Sequence, residues 1–199
     1  MKQLLITGFD PFGGESVNPA WEAVKSLPDE IGTWTLTKLQ IPTVFGEAAN
    51  TVLKTVDAMP TAPDVILCIG QAGGRAAVTP EFVAINYRRA SIADNAGTLI
   101  SESPILADAP AAYFATVPVQ RMTAAITDAG IRAQTSYSAG TFVCNDVLYL
   151  LLHRFSSGQT QVGFIHVPFL PEQVRDTRTP SLPLDDTVRA LTAAIGALK

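Results

Sequence analysis

The chain has 199 residues, of which 47% are hydrophobic and 16% charged, and its formal net charge is −4. This composition excludes a disordered chain and predicts one globular domain over residues 1–199. Because the sequence has no Lys/Arg cluster and no apolar stretch near the roughly 20 residues of a membrane span, we expect neither nucleic acid nor membrane as a partner.

Short apolar runs alternate along the chain with longer segments of helical periodicity. In chain order, the pattern predicts a strand at 4–7, a helix at 18–27, a strand at 34–40, a helix at 45–58, strands at 65–69 and 82–86, a helix at 117–129, a strand at 132–137, a helix at 145–155, a strand at 162–167 and a helix at 184–198. This alternation predicts an α/β fold with a mainly parallel sheet and helices on both faces. Ligand sites in such sheets lie beyond the carboxyl ends of the strands.

The two cysteines differ in their surroundings. Cys68 lies inside the apolar run 65–69, where a free thiol acts as a small buried hydrophobe. Cys144 follows a short loop at the start of an apolar helix, where the helix dipole and unpaired N–H groups favour a thiolate and can bind an oxyanion. Cys144 is therefore the candidate nucleophile, and a structural role in the core is the alternative. Two cysteines without a signal-peptide pattern also predict a cytoplasmic protein with reduced thiols.

One histidine can serve Cys144 as a base. His166 ends an apolar strand just before Pro168. The other histidine, His153, lies nine residues after Cys144 on the predicted helix, about 13 Å along its axis, which is too far to reach the thiol. If a histidine acts on Cys144, it is His166, and a structural role for this side chain is the alternative.

A carboxylate is needed to orient such a histidine. Glu81 precedes the predicted strand 82–86 and is one candidate. The residues alone leave Asp94, Asp146 and Glu172 as rivals.

The first loop of the chain contains two aromatic side chains among glycines. Phe9 and Phe12 lie in Gly-Phe-Asp-Pro-Phe-Gly-Gly-Glu, which lacks the spacing of a phosphate-binding loop. Two aromatic rings here favour a small hydrophobic pocket, although they can also simply anchor the loop on the core. The histidines and cysteines show no metal-ligand spacing, so we expect no metal.

Five motifs, taken in order, resemble the pyroglutamyl peptidase type I family, also called pyrrolidone-carboxylate peptidases. They are Thr-Gly-Phe-Asp-Pro-Phe-Gly-Gly-Glu at 7–15, Gly-Gln-Ala-Gly-Gly-Arg at 70–75, Glu81 with Val-Ala-Ile-Asn at 83–86 and Asp-Asn at 94–95, Ser-Ala-Gly-Thr-Phe-Val-Cys-Asn at 138–145, and His-Val-Pro-Phe-Leu-Pro at 166–171. The resemblance covers nearly the whole chain.

The resemblance implies a cysteine peptidase that hydrolyses the amide bond after an N-terminal pyroglutamyl residue, with a catalytic triad of Cys144, His166 and Glu81. It also implies a three-layer α/β/α sandwich, a homotetramer and no cofactor. Peptides with an N-terminal pyroglutamate are then the substrates. The residues expected to bind them are Phe9, Phe12, Phe142, Val143, Gln71 and Arg89.

Two positions near the expected site depart from the family pattern. Phe82 and Ser91 each stand where the family usually has arginine, and the second of those arginines is thought to help stabilise the oxyanion. Arg88 or Arg89 can take over that charge, and alternation along a strand favours Arg89, two residues before Ser91. The departures leave two alternatives open: a related amidase acting on another small lactam or acyl amide, and a weakened relative without catalysis.

Overall fold

Residues 1–176 and 178–198 are described by the structure, a computed structural model, and form eight β-strands, five α-helices and a short 3₁₀-helix. These elements are β1 (Lys2–Phe9), α1 (Pro19–Ser26), β2 (Glu30–Ile31), β3 (Trp34–Ile41), α2 (Glu47–Ala58), β4 (Val65–Gln71), β5 (Thr79–Pro80), β6 (Val83–Ile85), β7 (Ala112–Phe114), α3 (Val119–Asp128), α4 (Val143–Arg154), β8 (Gln161–Val167), the 3₁₀-helix Pro171–Gln173 and α5 (Leu184–Gly196).

A six-stranded mixed sheet forms the centre of the molecule. Its strand order is β2-β3-β1-β4-β8-β5. The inner strands β3, β1, β4 and β8 are parallel, whereas β2 and β5 pair antiparallel at the two edges. The carboxyl ends of the four parallel strands therefore meet at one edge of the sheet, where a site is expected.

Helices cover both faces of this sheet. Along β1, Leu4 and Ile6 belong to the core under α1, α3 and α5, whereas Leu5 and Phe9 belong to the core under α2 and α4. This alternation follows from the pleat of a strand that is buried on both faces. The predicted three-layer α/β/α sandwich with a mainly parallel sheet is confirmed.

The predicted strand at 132–137 is wrong. This segment meets the chain around β5 only at two isolated bridges, Val78 with Ala133 and Glu81 with Ser136. Between the two bridges lies Pro80, which has no N–H to donate to the ladder. The missing donor divides the pairing into two separate bridges.

The starts of α1 and α4 differ in how well the sequence predicts them. Helix α1 begins where the sequence predicts, because Asn18 Oδ1 accepts a hydrogen bond from Ala20 N at 3.0 Å. Helix α4 begins at Val143, two residues before the predicted start, with the backbone of Phe142 as its N-cap. In the part of the chain that the structure describes, no helix is both long and apolar enough to cross a membrane.

Candidate active site

Cys144 lies in the first turn of α4, directly above the carboxyl end of β4. Its side chain is half-buried, and a Cβ atom added to Gly70 would lie 3.1 Å from Cys144 Sγ and 2.6 Å from the Phe164 ring. The absence of a side chain at position 70 therefore leaves room for the thiol against the sheet. The earliest hydrogen bond in this turn is donated by Asp146 N to Phe142 O, so the N–H groups of 143–145 precede it.

His166 lies next to Gly70 in the sheet. The two residues are register partners in the parallel pair β4–β8, so their Cβ positions project to the same face. The His166 ring packs against Phe164, with ring centroids 4.7 Å apart, and Phe164 belongs to the core under α4. Cys144 and His166 thus both border Gly70 on the α4 side of the sheet.

His153 lies elsewhere on α4. Its Nδ1 is 2.8 Å from Tyr113 OH, and its ring stacks on Tyr149. As its distance along α4 predicts, His153 has partners of its own, and His166 is the histidine that borders Gly70 with Cys144.

Glu81 is brought to His166 by strand β5. Thr79 pairs with His166 across β5 and β8, and Glu81 N then donates to Phe164 O at 2.9 Å. This antiparallel pairing places Glu81 Oε1 2.7 Å from His166 Nδ1. The Glu81 side chain is fully buried, at 0% exposure.

The three rival carboxylates have other partners or positions. Asp94 Oδ1 accepts from the backbone N–H groups of Ala96 and Thr98 within its own loop. Asp146 forms an ion pair with Arg88. Glu172 is exposed on the 3₁₀-helix. Among the described carboxylates, the hydrogen bond to His166 is made by Glu81.

Burial controls the ionisation of these three side chains. Burial raises the pKa of Cys144 to about 12, and the charge of Glu81 adds to the rise. Burial likewise lowers the pKa of His166, although the hydrogen bond that the ring donates to Glu81 and the charge of that carboxylate act to raise it. Burial acts to raise the pKa of Glu81, but the hydrogen bonds from His166, Ser136 and Arg75 and the charge of His166 bring it below its ordinary value. At neutral pH these shifts favour a neutral thiol and a neutral imidazole beside a carboxylate, so desolvation opposes the thiolate that the helix start was predicted to favour.

Aromatic side chains gather around the N-cap of α4. The Phe142 ring lies 6.1 Å from Phe12 and 5.2 Å from Phe45, centroid to centroid. Phe45 was not predicted; the signal for it was its position just after β3, at the sheet edge where the other motifs fall. Phe9, which the resemblance placed in the pocket, is 2% exposed and packs on Phe164 inside the core, so its ring offers almost no surface to a substrate.

A cavity of about 390 Å³ adjoins the same N-cap. It is lined by Arg89, Ala90, Ser91, Ile92, Thr141 and Phe142. Arg89 is exposed, and its backbone is held by Thr141, whose carbonyl accepts from Arg89 N at 3.0 Å and whose hydroxyl donates to Arg89 O at 2.8 Å. The arginine and Ser91 therefore share one cavity.

The remaining predicted residues border the site in different ways. Gln71 ends β4, and its Oε1 accepts a hydrogen bond from Gln173 Nε2 at 3.0 Å. Val143 is the buried first residue of α4. Phe82 packs against the rings of Phe114 and Tyr137, on the side of the small β6–β7 sheet.

Sequence reasoning did not assign a role to Arg75. Its Nη1 donates to Glu81 Oε1 at 2.7 Å, the oxygen that also accepts from His166. An arginine six residues before the candidate carboxylate, in the loop after β4, was the available signal.

Similarity to known proteins extends over nearly the whole chain. A family model described as pyroglutamyl peptidase matches residues 2–199. The chain belongs to the pyroglutamyl peptidase family. It is 52% identical to the pyrrolidone-carboxylate peptidase of Levilactobacillus brevis, covering 98% of this chain and 97% of the relative, and 47% identical to that of Lactobacillus helveticus, covering 97% and 96%.

Solved structures of the family have the same fold. The pyroglutamyl peptidase I of Bacillus amyloliquefaciens superposes with a TM-score of 0.94 at 43% identity, over 99% of this chain and 94% of that one. A mutant pyrrolidone carboxyl peptidase of Pyrococcus furiosus gives 0.92 at 36% identity, over 98% and 97%. The prediction of a peptidase of the pyroglutamyl peptidase I family is confirmed.

Proposed function

We propose that this protein is a cysteine exopeptidase that removes an N-terminal pyroglutamyl residue from peptides, using Cys144, His166 and Glu81. The observation that carries the proposal is the hydrogen bond between His166 Nδ1 and Glu81 Oε1, 2.7 Å long, beside the glycine against which Cys144 Sγ lies. The names of the relatives at 52% and 47% identity support the substrate.

The proposed reaction begins from the neutral thiol. Because Glu81 occupies Nδ1, the other ring nitrogen of His166 takes the Cys144 proton as the sulfur attacks the pyroglutamyl carbonyl. Glu81 stabilises the imidazolium that forms, and the first-turn N–H groups of α4 bind the oxyanion.

The tetrahedral intermediate then collapses. The C–N bond breaks, His166 returns its proton to the leaving amine, and a thioester to Cys144 remains. Water attacks this thioester with His166 as the base, which releases pyroglutamate and restores the thiol.

Apolar walls support selectivity for the lactam. Pyroglutamate is small and uncharged, and the rings of Phe12, Phe45 and Phe142 offer a surface for it. An ordinary N-terminal residue carries an ammonium group that these walls cannot solvate. Val143 and Gln71 complete the proposed pocket at the ends of α4 and β4, and Phe9 supports it from the core.

Arg89 is proposed to supply the positive charge that the family pattern places at position 91. Three features support it: Arg89 is exposed, it lines the cavity beside Phe142, and Ser91 lines the same cavity. Arg88, by contrast, is paired with the buried Asp146.

Turnover of a chromogenic pyroglutamyl amide tests the triad. We expect Cys144→Ala to abolish turnover and Glu81→Gln to lower kcat on the order of 10³-fold, because the imidazolium loses its counter-charge. Glu172→Gln is the matched control, since it removes an exposed carboxylate, and it should retain wild-type activity. The same amide with an N-terminal alanine should not be cleaved.

Three results would contradict the proposal. Activity retained in Cys144→Ala would exclude this nucleophile. A wild-type protein that cleaves a different lactam amide, and not the pyroglutamyl one, would indicate a related amidase. A folded wild-type protein without amidase activity would indicate a non-catalytic relative.

We also propose that the enzyme works in the cytoplasm, as its cysteine usage predicts, and that it forms a homotetramer, as the resemblance implies. Both cysteines are free thiols, as a nucleophile in a reducing compartment requires. Sedimentation at micromolar concentration should give the mass of four chains of 21.1 kDa. A single species with the mass of one chain would contradict the tetramer.

A further inference from the structure

Arg75 makes hydrogen bonds to two separate segments around the site, residues 79–81 and residues 136–138. Its Nη1 lies 2.7 Å from Glu81 Oε1 and 2.7 Å from Thr79 Oγ1, and its Nη2 donates to Ser138 O at 3.0 Å. The side chain is 32% exposed, so about two-thirds of it is buried against these partners. One guanidinium thus connects β5, the Glu81 carboxylate and the loop that leads to Cys144.

The loop that carries Arg75 is held close to the strand that carries His166. Ala72 N donates to Val167 O at 2.9 Å. A Cβ atom on Gly73 would overlap the ring of Phe169, so this position accepts no side chain without a shift. The loop that carries Arg75 is therefore fixed to the chain directly after His166.

Arg75 and His166 share one oxygen of the carboxylate. Both donate to Glu81 Oε1, whereas the buried Oε2 has no hydrogen-bond partner among the described residues. A carboxylate held by one histidine could rotate about its terminal torsion, which is broad for Glu. The second donor on the same oxygen fixes that torsion.

We propose that Arg75 is a positioning residue, which keeps Glu81 ionised and holds Oε1 toward His166 while the imidazole gains and loses a proton. This inference rests on the proposed function and adds a fourth side chain to it. Through Ser138 O, six residues before Cys144, the same guanidinium also sets the loop that delivers the nucleophile.

The positive charge of Arg75 supports the same role as its hydrogen bonds. Burial is the largest influence on both members of the pair: it lowers the pKa of His166 and acts to raise that of Glu81. The positive charge of Arg75 adds to the lowering of the His166 pKa, and its hydrogen bond helps to bring the pKa of Glu81 down. Among the described residues, Cys144 on α4 is a further titratable group whose pKa is affected by the charge of Glu81.

Removal of the Arg75 charge should shift the pKa values of His166 and Glu81 in a defined direction. Without Arg75 both pKa values rise, so His166 holds its proton to a higher pH. The acid limb of kcat/KM, which requires a neutral imidazole in the free enzyme, should then move to higher pH.

Three variants of the full-length protein test the inference. Arg75→Gln removes both the charge and the guanidinium hydrogen bonds. Arg75→Lys keeps the charge but cannot reach Thr79, Glu81 and Ser138 together. Arg132→Gln is the matched control, because it removes the same charge from an exposed side chain. We expect Arg75→Gln to lose kcat/KM on the order of 10²-fold at neutral pH, since the triad is misplaced, and to show the shifted acid limb. Arg75→Lys should recover part of kcat with its acid limb at the wild-type position, and Arg132→Gln should match the wild type.

Nuclear magnetic resonance titration of His166 provides a readout that needs no substrate. The chain has two histidines, so the imidazole signals are separable. The midpoint of His166 should move to higher pH in Arg75→Gln and stay in place in Arg132→Gln. If the wild type cleaves no pyroglutamyl amide, the proposed function fails while this titration still tests Arg75.

Two results would overturn the inference. The first is a folded Arg75→Gln protein with wild-type kcat/KM. The second is a reduced kcat/KM with an unmoved acid limb and an unmoved His166 midpoint, which would mean a purely structural role. If Arg75→Gln does not fold, Arg75→Lys decides: reduced kcat at unchanged KM supports the inference, and wild-type kcat overturns it.

Discussion

At the scale of single residues, Ser91 and Arg89 raise the sharpest question about this site. The residue pattern pointed to Arg89 through strand alternation, but residues 89–91 do not form a strand in the structure. They share a cavity because the backbone of Arg89 is tied to Thr141. Arg88 is paired with the buried Asp146, which supports the proposal that Arg89 is the arginine that faces a substrate.

Moving the arginine from position 89 to position 91 tests the proposed role of Arg89. We expect Arg89→Ala to lower kcat/KM for a pyroglutamyl amide by about 10²-fold, the usual effect of losing one oxyanion-stabilising group. The double variant Arg89→Ala with Ser91→Arg should regain most of that activity, because the charge returns to the same cavity. Arg121→Ala, which removes an exposed arginine from α3, serves as the control. Wild-type activity in Arg89→Ala would show that the site works without this charge.

The side chains that we propose to act in the reaction differ in how far the sequence alone could identify them. Cys144 and His166 could be proposed from the sequence because each stands at the end of an element within a recognisable motif, whereas the choice of Glu81 over its rival carboxylates came from the family resemblance. Arg75 and Phe45 could not be proposed, because their contacts join segments that only the folded chain brings together. Ionisation was also missed: desolvation of Cys144 depends on the surrounding core and not on its place in the helix.

At the scale of elements, long apolar runs were the predictable part of the fold. Strands β1, β3, β4 and β8 and all five helices follow from hydrophobic periodicity. Strands β2, β5 and β7 have two or three residues, too few for a period, and their pairing is a property of the tertiary structure.

The start of α4 shows why a helix boundary can be misread. The apolar run after Cys144 led to a predicted helix start at Asn145. In the structure this side chain is buried and bonds to the segment after Glu81: its Nδ2 donates to Ile85 O at 2.9 Å and Tyr87 O at 3.0 Å, and its Oδ1 accepts from Ile85 N at 2.9 Å. Asn145 therefore joins the nucleophile helix to β6 instead of capping the helix.

Removal of this amide should destabilise the whole protein. Asn145→Ala leaves three backbone groups unpaired in a buried region, so we expect a loss of about 3 kcal/mol in the free energy of unfolding. Asn50→Ala is the matched control, because that side chain is exposed on α2 and bonds only to Glu47, and it should cost within about 0.5 kcal/mol. Urea unfolding of both variants measures the difference. Equal losses in the two variants would contradict the buried connection.

At the scale of the whole molecule, the buried site makes stability depend on pH in both directions. The pKa values of His166 and Glu81 lie below their ordinary values of 6.5 and 4.5. The unfolded chain therefore binds more protons than the folded protein as the pH falls below 6.5, and folding loses stability there. A buried thiol acts in the opposite sense, because its pKa is raised in the folded state.

Cys68 isolates the alkaline effect, since it lies fully buried in β4 and away from solvent. Burial raises its pKa from 9.0 to about 12, so the stability that its neutral thiol contributes is complete below pH 9 and falls as the pH rises toward 12. Between pH 9 and 11 the unfolding free energy of the wild type should fall more steeply than that of Cys68→Ala, by about 1.4 kcal/mol per pH unit. Lysines and tyrosines titrate in both proteins and cancel in the difference. Denaturant unfolding at each pH gives the two curves, which should run parallel from pH 7 to 8. If they also stay parallel above pH 9, the thiol ionises as readily in the folded core as in the unfolded chain.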